Sequence, residues 1–236
     1  MEMRIVGKSA EPMGNRRMAL PIAKEGYSFI IPMAMATFLF GLVGWVYLAG
    51  VFCGITLFIL YFFRNPTRTP PLSEGAIVSP ADGKVLEVGS HLENRYLHRE
   101  AVKISIFMSL LDVHVNRSPI TGRVINRAYH PGKFFPANTD KSSLLNEQNA
   151  LVLCSKDGFE ILFIQIAGII ARRIVCYAQK GSLLKRGQIF GMIRFGSRLE
   201  VFLPLNVDVQ VQVGDHVRAG ETILGYRNAK KTKDRH

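Results

Sequence analysis

The glycyl-seryl pair Gly196-Ser197 sets an unhindered carbonyl beside a hydroxyl nucleophile. A serine so placed can attack the preceding carbonyl, break its own peptide bond and make a reactive group out of the backbone. Glycyl-seryl pairs also occur at 89–90 and 181–182, and the dipeptide alone suits a bulge or hairpin turn equally well. The third pair is set apart by its frame. Met192 to Phe195 and Leu199 to Leu203 read as strands, with Gly196-Ser197 as the interruption between them.

A second constellation lies upstream. In Leu111-Asp112-Val113-His114-Val115-Asn116-Arg117, strand periodicity puts Asp112, His114 and Asn116 on one face and the two valines on the other. Three polar groups on one face suit the wall of a site with His114 as its base, and a lone histidine equally suits a packing role. Ser79-Pro80-Ala81-Asp82-Gly83 reads as a turn leading into a strand over Lys84 to Val88, and Asp82 taken alone is a turn residue.

What positions these groups falls into three parts: a basic N-terminal segment over 1–26, a hydrophobic anchor over 27–63 and one larger domain over 64–236. The anchor, Tyr27 to Phe63, runs 37 residues without a charge. As one helix it would extend roughly 55 Å, against about 30 Å of bilayer hydrocarbon, so two short spans or a hairpin fit it better. Gly41, Gly44, Ala49 and Gly50 surround the midpoint where the chain must turn, and Trp45 and Tyr47 suit an interface there. Arg16, Arg17 and Lys24 precede the run, and Arg64 and Arg68 follow it. A hairpin brings both basic flanks to one side, which the positive-inside tendency makes cytoplasmic. A buried helix pair in a soluble protein is the other reading of the same run.

Asn65-Pro66 and Pro70-Pro71 form a linker. Beyond it, short apolar or alternating runs separated by Gly, Pro, Asn and Asp predict a mainly β (α+β) catalytic domain with few helices. The expected strands are Ala76 to Val78, Lys84 to Val88, Val102 to Leu111, Leu151 to Cys154, Glu160 to Ala167, Gly187 to Phe195, Leu199 to Leu203 and Val207 to Val213. A helix is expected around Lys141 to Gln148, capped by Ser142 or Ser143.

Cys53, Cys154 and Cys176 are odd in number and widely spaced, so neither a disulfide framework nor a metal-binding pair is available, and a reducing compartment fits. The net charge of +12 is unevenly placed. Ala171 to Arg198 carries seven Lys or Arg and no acid, and Arg227, Lys230, Lys231, Lys233 and Arg235 cluster further on. No zinc ligands, basic helix or aromatic RNA-binding signature accompanies them, which argues against nucleic acid as partner. Beside an anchor, an anionic lipid surface suits this charge, and a solvated tail is the other reading of the last cluster.

Read in order, Ser-Pro-Ala-Asp-Gly at 79–83, Asp-Val-His-Val-Asn-Arg-Ser-Pro at 112–119, Tyr-His-Pro-Gly-Lys-Phe at 129–134, Asn146-Glu147 and Phe-Gly-Ser-Arg at 195–198 resemble the short bacterial and archaeal type of phosphatidylserine decarboxylase proenzyme. The resemblance covers essentially the whole chain, anchor included. It implies self-cleavage at Gly196-Ser197: the Ser197 hydroxyl forms an ester with the Gly196 carbonyl, the ester is eliminated, and hydrolysis of the dehydroalanine leaves a pyruvoyl group. Residues 1–196 would become a β chain and 197–236 an α chain, held together as a heterodimer within which further oligomerisation stays open. The pyruvoyl carbonyl would take the serine headgroup of phosphatidylserine as a Schiff base and act as electron sink while carbon dioxide leaves, giving phosphatidylethanolamine.

By the same resemblance Asp82 and His114 would help Ser197 act, the histidine as base and the aspartate as its orienter. Longer relatives carry His-x-x-His-x-Pro, where this chain has His114 and then Arg117, so His114 or His130 would have to be the processing base. Arg194 and Arg198 flank the cleavage site and are the first candidates for the lipid phosphate, with Arg117 and His130 as further ones. A different class also fits one stretch. Leu203 to Leu224 resembles the second half of a biotinyl or lipoyl domain and Ser79 to Val88 a first half, an arrangement also found in membrane-fusion adaptors. Such adaptors insert a long helical hairpin between the halves, and no lysine lies between Glu200 and Gly220 to carry biotin or lipoate.

Overall fold

The computed structural model describes residues 21–133, 145–168, 173–194 and 197–228. The uncharged run folds as a hairpin of two helices, α1 (Tyr27–Leu42) and α2 (Val46–Phe62). Each is about 25 Å long at ~1.5 Å per residue. The turn between them places Gly44 at φ 79, a left-handed conformation that costs glycine little. With its preceding turn, the first helix spans Lys24–Leu42, long and apolar enough to cross a membrane; the second is shorter at 17 residues. Leu39, Leu42, Val46, Tyr47 and Leu57 stand exposed, as expected of helices built for an apolar solvent. The Thr37 and Thr56 hydroxyls are returned to carbonyls one turn back, so neither is left without a partner.

At its base the hairpin is pinned shut: Ala23 N–H donates to Phe63 O at 2.8 Å and Asn65 N–H to Pro21 O at 2.7 Å. From there the chain is β. In order come β1 (Ala76–Val78), β2 (Gly83–Glu93), β3 (Arg99–Met108), β4 (Val115–Arg117), β5 (Gly122–His130), β6 (Gln148–Cys154) and β7 (Glu160–Ala167). They continue with β8 (Ile174–Cys176), β9 (Leu183–Leu184), β10 (Ile189–Ile193), β11 (Ser197–Leu203), β12 (Val207–Val209), β13 (His216–Val217) and β14 (Ile223–Arg227).

Among the described residues three antiparallel sheets result, ordered β13-β2-β3-β11-β7-β6-β5-β9, β4-β10-β8 and β1-β14-β12. In the large sheet β11 lies between β3 and β7 and is buried on both faces. Its alternation sorts the faces. Leu199, Val201 and Leu203 join Ile104, Ile106, Phe163 and Phe190 in the main core, while Phe202 packs with Val152, Leu162 and Ile164 on the other side. Burying each such side chain stabilises by about 1.5–3 kcal/mol. A third cluster joins the hairpin to the domain, as Ile59, Phe62 and Phe63 pack on Val113, Val115 and Met192.

Several expected elements change. The alternation Asp112 to Asn116 is not a strand. β3 stops at Met108, and Asp112 Oδ2 accepts hydrogen bonds from Ser109 N and Oγ at 2.8 and 2.7 Å, closing a turn before β4 begins at Val115. Of the expected helix Lys141 to Gln148, Leu145 is helical, Asn146 forms a bridge with Lys133 and Gln148 opens β6; 141–144 lie outside the described residues. β10 and β11 belong to different sheets and are not paired with each other, so they do not form a hairpin. Between Val88 and Leu203 the described chain runs through β3 to β11, without the helical hairpin of an adaptor.

Candidate functional site

Ser197 is the first residue of β11, paired across to Met108 on one side and Ala167 on the other, with no exposed surface. A side chain at the head of a doubly paired strand has its backbone fixed in space. Its hydroxyl donates to Met108 Sδ at 3.3 Å, and Asn116 Nδ2 approaches the same sulfur at 3.8 Å. Gly196 and Phe195 lie outside the described residues.

Two residues before Asn116, His114 is equally buried under the end of the hairpin, its ring centroid 4.3 Å from that of Phe62. Nδ1 sits 3.0 Å from the Asp112 carbonyl. A carbonyl only accepts, so Nδ1 carries the proton and the lone pair is on Nε2. Burial pulls the imidazole pKa down to about 4, against the weaker opposing pull of Asp112. At neutral pH His114 is therefore an uncharged base.

Asp82 is held elsewhere. Its Oδ1 accepts the Ala219 N–H at 2.7 Å and its Oδ2 the Arg68 guanidinium at 2.7 Å, and Arg68 also reaches Glu221 at 2.7 Å. Burial pushes the Asp82 carboxyl pKa up, opposed by the Ala219 amide and by Arg68. The motif glycine after it has a steric reason: a Cβ on Gly83 would sit 2.1 Å from Phe107 O. The structure thus gives His114 a backbone carbonyl as its orienting partner and ties Asp82 to the linker arginine.

The remaining candidates separate. Arg117 is buried and braces the hairpin's exit, donating to Asn65 Oδ1 at 3.2 Å, Pro66 O at 3.0 Å and Gly187 O at 3.1 Å. Arg198 is on the face of β11 opposite to Ser197, buried, with Nη1 3.6 Å from Glu200 Oε1. His130 stands exposed at the end of β5, 6.2 Å from the Tyr96 ring. Arg194 has its guanidinium 5.4 Å from the Phe29 ring at the foot of α1, and its buried Nε has no hydrogen-bond partner among the described residues. In the terminal basic cluster Arg227 pairs with Asp157 at 2.6 Å, and the residues after Asn228 lie outside the described ones.

Sequence reasoning missed Met108, Gln165, Arg68 and Phe62. Gln165 alone gave a signal, as the one polar side chain within the apolar run Ile161 to Ala167.

The candidate groups are thus a fixed, buried serine hydroxyl and a neutral histidine lying beneath an apolar helical hairpin. The profile described as phosphatidylserine decarboxylase matches residues 55–225. The chain is 50% identical over 210 residues to a phosphatidylserine decarboxylase proenzyme of Geotalea uraniireducens (strain Rf4), covering 89% of this chain and 98% of that protein. It is 50% identical over 211 residues to one of Syntrophotalea carbinolica, covering 89% and 99%, and 49% identical over 207 residues to one of Syntrophus aciditrophicus (strain SB), covering 86% and 96%. The chain belongs to the phosphatidylserine decarboxylase family, whose members are carboxy-lyases.

Proposed function

We propose that the chain is a membrane-anchored phosphatidylserine decarboxylase that converts its own Ser197 into a pyruvoyl group and works at the cytoplasmic face of the cell membrane. The position of Ser197 carries this reading. Buried at the head of the central strand, its hydroxyl has only a thioether as hydrogen-bond acceptor among the described residues. A thioether is a weak acceptor, so replacing the hydroxymethyl group by a ketone and methyl there strands no strong polar partner. The pocket fits the pyruvoyl group in that sense. That group supplies a carbonyl for the substrate amine and an electron sink for the bond to the departing carboxylate.

The rest is work for the chain's own residues. In the precursor, Ser197 Oγ attacks the Gly196 carbonyl carbon, the C–N bond breaks, and the hydroxyl proton passes through neutral His114 to the freed amine, leaving an ester. Elimination and hydrolysis then release ammonia. The cut would divide the large sheet between the two chains without opening it. β11 is paired with β3 and β7, β13 with β2, and β14 with β1, so the α chain stays woven into the β chain by backbone hydrogen bonds.

Arg194, beside the foot of α1 and with a buried Nε that has no partner among the described residues, is suited to the lipid phosphate at the membrane interface. The basic residues Lys24 and Arg64 at the base of the hairpin support an anionic cytoplasmic leaflet as the facing surface. A denaturing gel tests the reading. Wild type should separate into chains of 1–196 and 197–236, the smaller lighter by one ammonia in a mass spectrum, while Ser197→Ala should run intact at 26.4 kDa and be inactive. An active, uncut Ser197→Ala variant removes the mechanism.

A further inference from the structure

A line of amide hydrogen bonds runs through the closed interior from a half-buried arginine to the serine. Arg127 on β5 donates through Nε to Asn149 Oδ1 at 3.2 Å. Asn149 on β6 donates through Nδ2 to Gln165 Oε1 at 2.9 Å. Gln165 on β7 donates through Nε2 to Asn116 Oδ1 at 2.9 Å, crossing from the large sheet to β4 of the smaller one. Asn116 Nδ2 then faces Met108 Sδ at 3.8 Å, the sulfur that accepts the Ser197 hydroxyl at 3.3 Å. Asn149, Gln165, Asn116 and Ser197 have no exposed surface.

The direction of this chain follows from its first member. A guanidinium has donors and no acceptor, so Asn149 must turn its oxygen to Arg127 and its NH2 to Gln165. The same choice then passes down the line. Reversing any one carboxamide would set two oxygens or two NH2 groups against each other in a dry interior, leaving buried polar groups without partners. Aligned amides polarise one another, and the charge on Arg127 strengthens the effect. What arrives beside Ser197 is consequently always a donor.

We infer that the Arg127–Asn149–Gln165–Asn116 chain is a positioning device for self-cleavage, which fixes the Met108 thioether and through it the rotamer of the Ser197 hydroxyl. A methionine side chain has three rotatable bonds and drifts in a loose core. Two donors converging on its sulfur restrict it, and the sulfur restricts the hydroxyl in turn. Being a weak acceptor, the thioether orients Oγ–H without holding its proton tightly, so the proton still leaves when Oγ bonds to the Gly196 carbonyl carbon and the C–N bond breaks. The inference rests on Ser197 being the nucleophile of that cut.

Arg127 provides the test, because it is half-buried and lies three strands from β11 in the sheet order. Lysine at that position is again a donor only, and Arg127→Lys should keep the polarity. Arg127→Glu presents acceptors only, turns Asn149 round, and delivers an oxygen to the sulfur. Full-length chains are made by cell-free synthesis in lipid nanodiscs and the loss of intact precursor is followed on denaturing gels. Arg127→Lys should cleave within about threefold of wild type, and Arg127→Glu should be slower by about tenfold or more, the factor that ~1.4 kcal/mol of barrier produces. Melting temperatures of both substitutions, measured in uncleavable Ser197→Ala chains, should agree within about 4 °C, the shift that ~1 kcal/mol would give. Equal cleavage rates for the two variants, or slowing that tracks a loss of melting temperature, overturns the inference. Cleavage of the Ser197→Ala chain itself would instead overturn the reading on which it rests.

Discussion

Phe62, the last residue of α2, lies over the imidazole of His114 with ring centroids 4.3 Å apart, and neither side chain has any exposed surface. The foot of the hairpin is thus one wall of the candidate site, and its last turn provides the dry surroundings that keep the histidine neutral.

Phe62→Ala should test that coupling. Removing a buried phenylalanine costs about 3–5 kcal/mol, and the vacated volume lies against the imidazole. Water there relieves the burial that depresses the His114 pKa, so the group should titrate nearer its ordinary range. Thermal melting should show the loss. An NMR titration of the ring in uncleavable Ser197→Ala chains should show the rise, and an unchanged pKa would separate the anchor from the site.

The wild-type pH response has a definite sign. His114 titrates at about 4 in the folded chain and near 6.5 in the unfolded one. Between those values the unfolded state binds more protons, so stability rises with pH across the window and is lost on acidification, by about 3 kcal/mol in all. The effect should be complete near pH 4 and absent above about pH 7. Urea midpoints of Ser197→Ala and of Ser197→Ala/His114→Gln would check it, the double variant losing the part of the slope that belongs to His114. For the same reason self-cleavage should be flat from about pH 8 down to about pH 5, without the inflection near 6.5 of an exposed histidine.

Much of this architecture is legible in the residues. Ala76–Val78 and Glu160–Ala167 are strands at the expected boundaries because continuous apolar runs bounded by turn residues have few other solutions in a β domain. The hairpin is legible because 37 residues without a charge cannot form one helix of sensible length. The turn at Ser109–Asp112 is not, since Val113 and Val115 imitate the alternation of a strand while the Asp112 side chain is closing a turn behind them. Nor is the fate of Asp82, whose partners Arg68 and Ala219 lie 14 and 137 positions away. Arg117 likewise meets Asn65 and Gly187, 52 and 70 positions away. Local patterns report elements; these pairings are set by how the sheets meet.

Arg68→Met should reveal what the linker arginine holds. Its side chain is 9% exposed and its guanidinium bridges Asp82 and Glu221. Removing it leaves Asp82 buried without its cation, at a cost of about 3–5 kcal/mol. Loss of that lowering partner raises the folded Asp82 pKa further, and a carboxyl with a raised folded pKa loses stability as pH climbs through its unfolded value. The defect should accordingly be larger at pH 8 than at pH 5. Urea midpoints at the two pH values decide it, and an equal loss at both would show that Asp82 is not the group left uncompensated.

Arg194→Gln should separate lipid recognition from self-cleavage. The guanidinium sits at the foot of α1 near Phe29, and its buried Nε has no partner among the described residues. A buried donor left unmade costs free energy that an incoming anion can recover, and a charge-assisted hydrogen bond to phosphate contributes about 1.5–3 kcal/mol. Glutamine keeps a polar group at about the position of Nε, two bonds short of the guanidinium tips, and removes the charge. Decarboxylation measured on phosphatidylserine in mixed micelles should show KM raised by about tenfold or more, with kcat within a few-fold of wild type, because the phosphate takes no part in breaking the carboxyl bond. The gel should still show both chains. A fall in kcat at unchanged KM would move Arg194 from the phosphate to the reacting centre, and failure to cleave would place it with Ser197 in the precursor step.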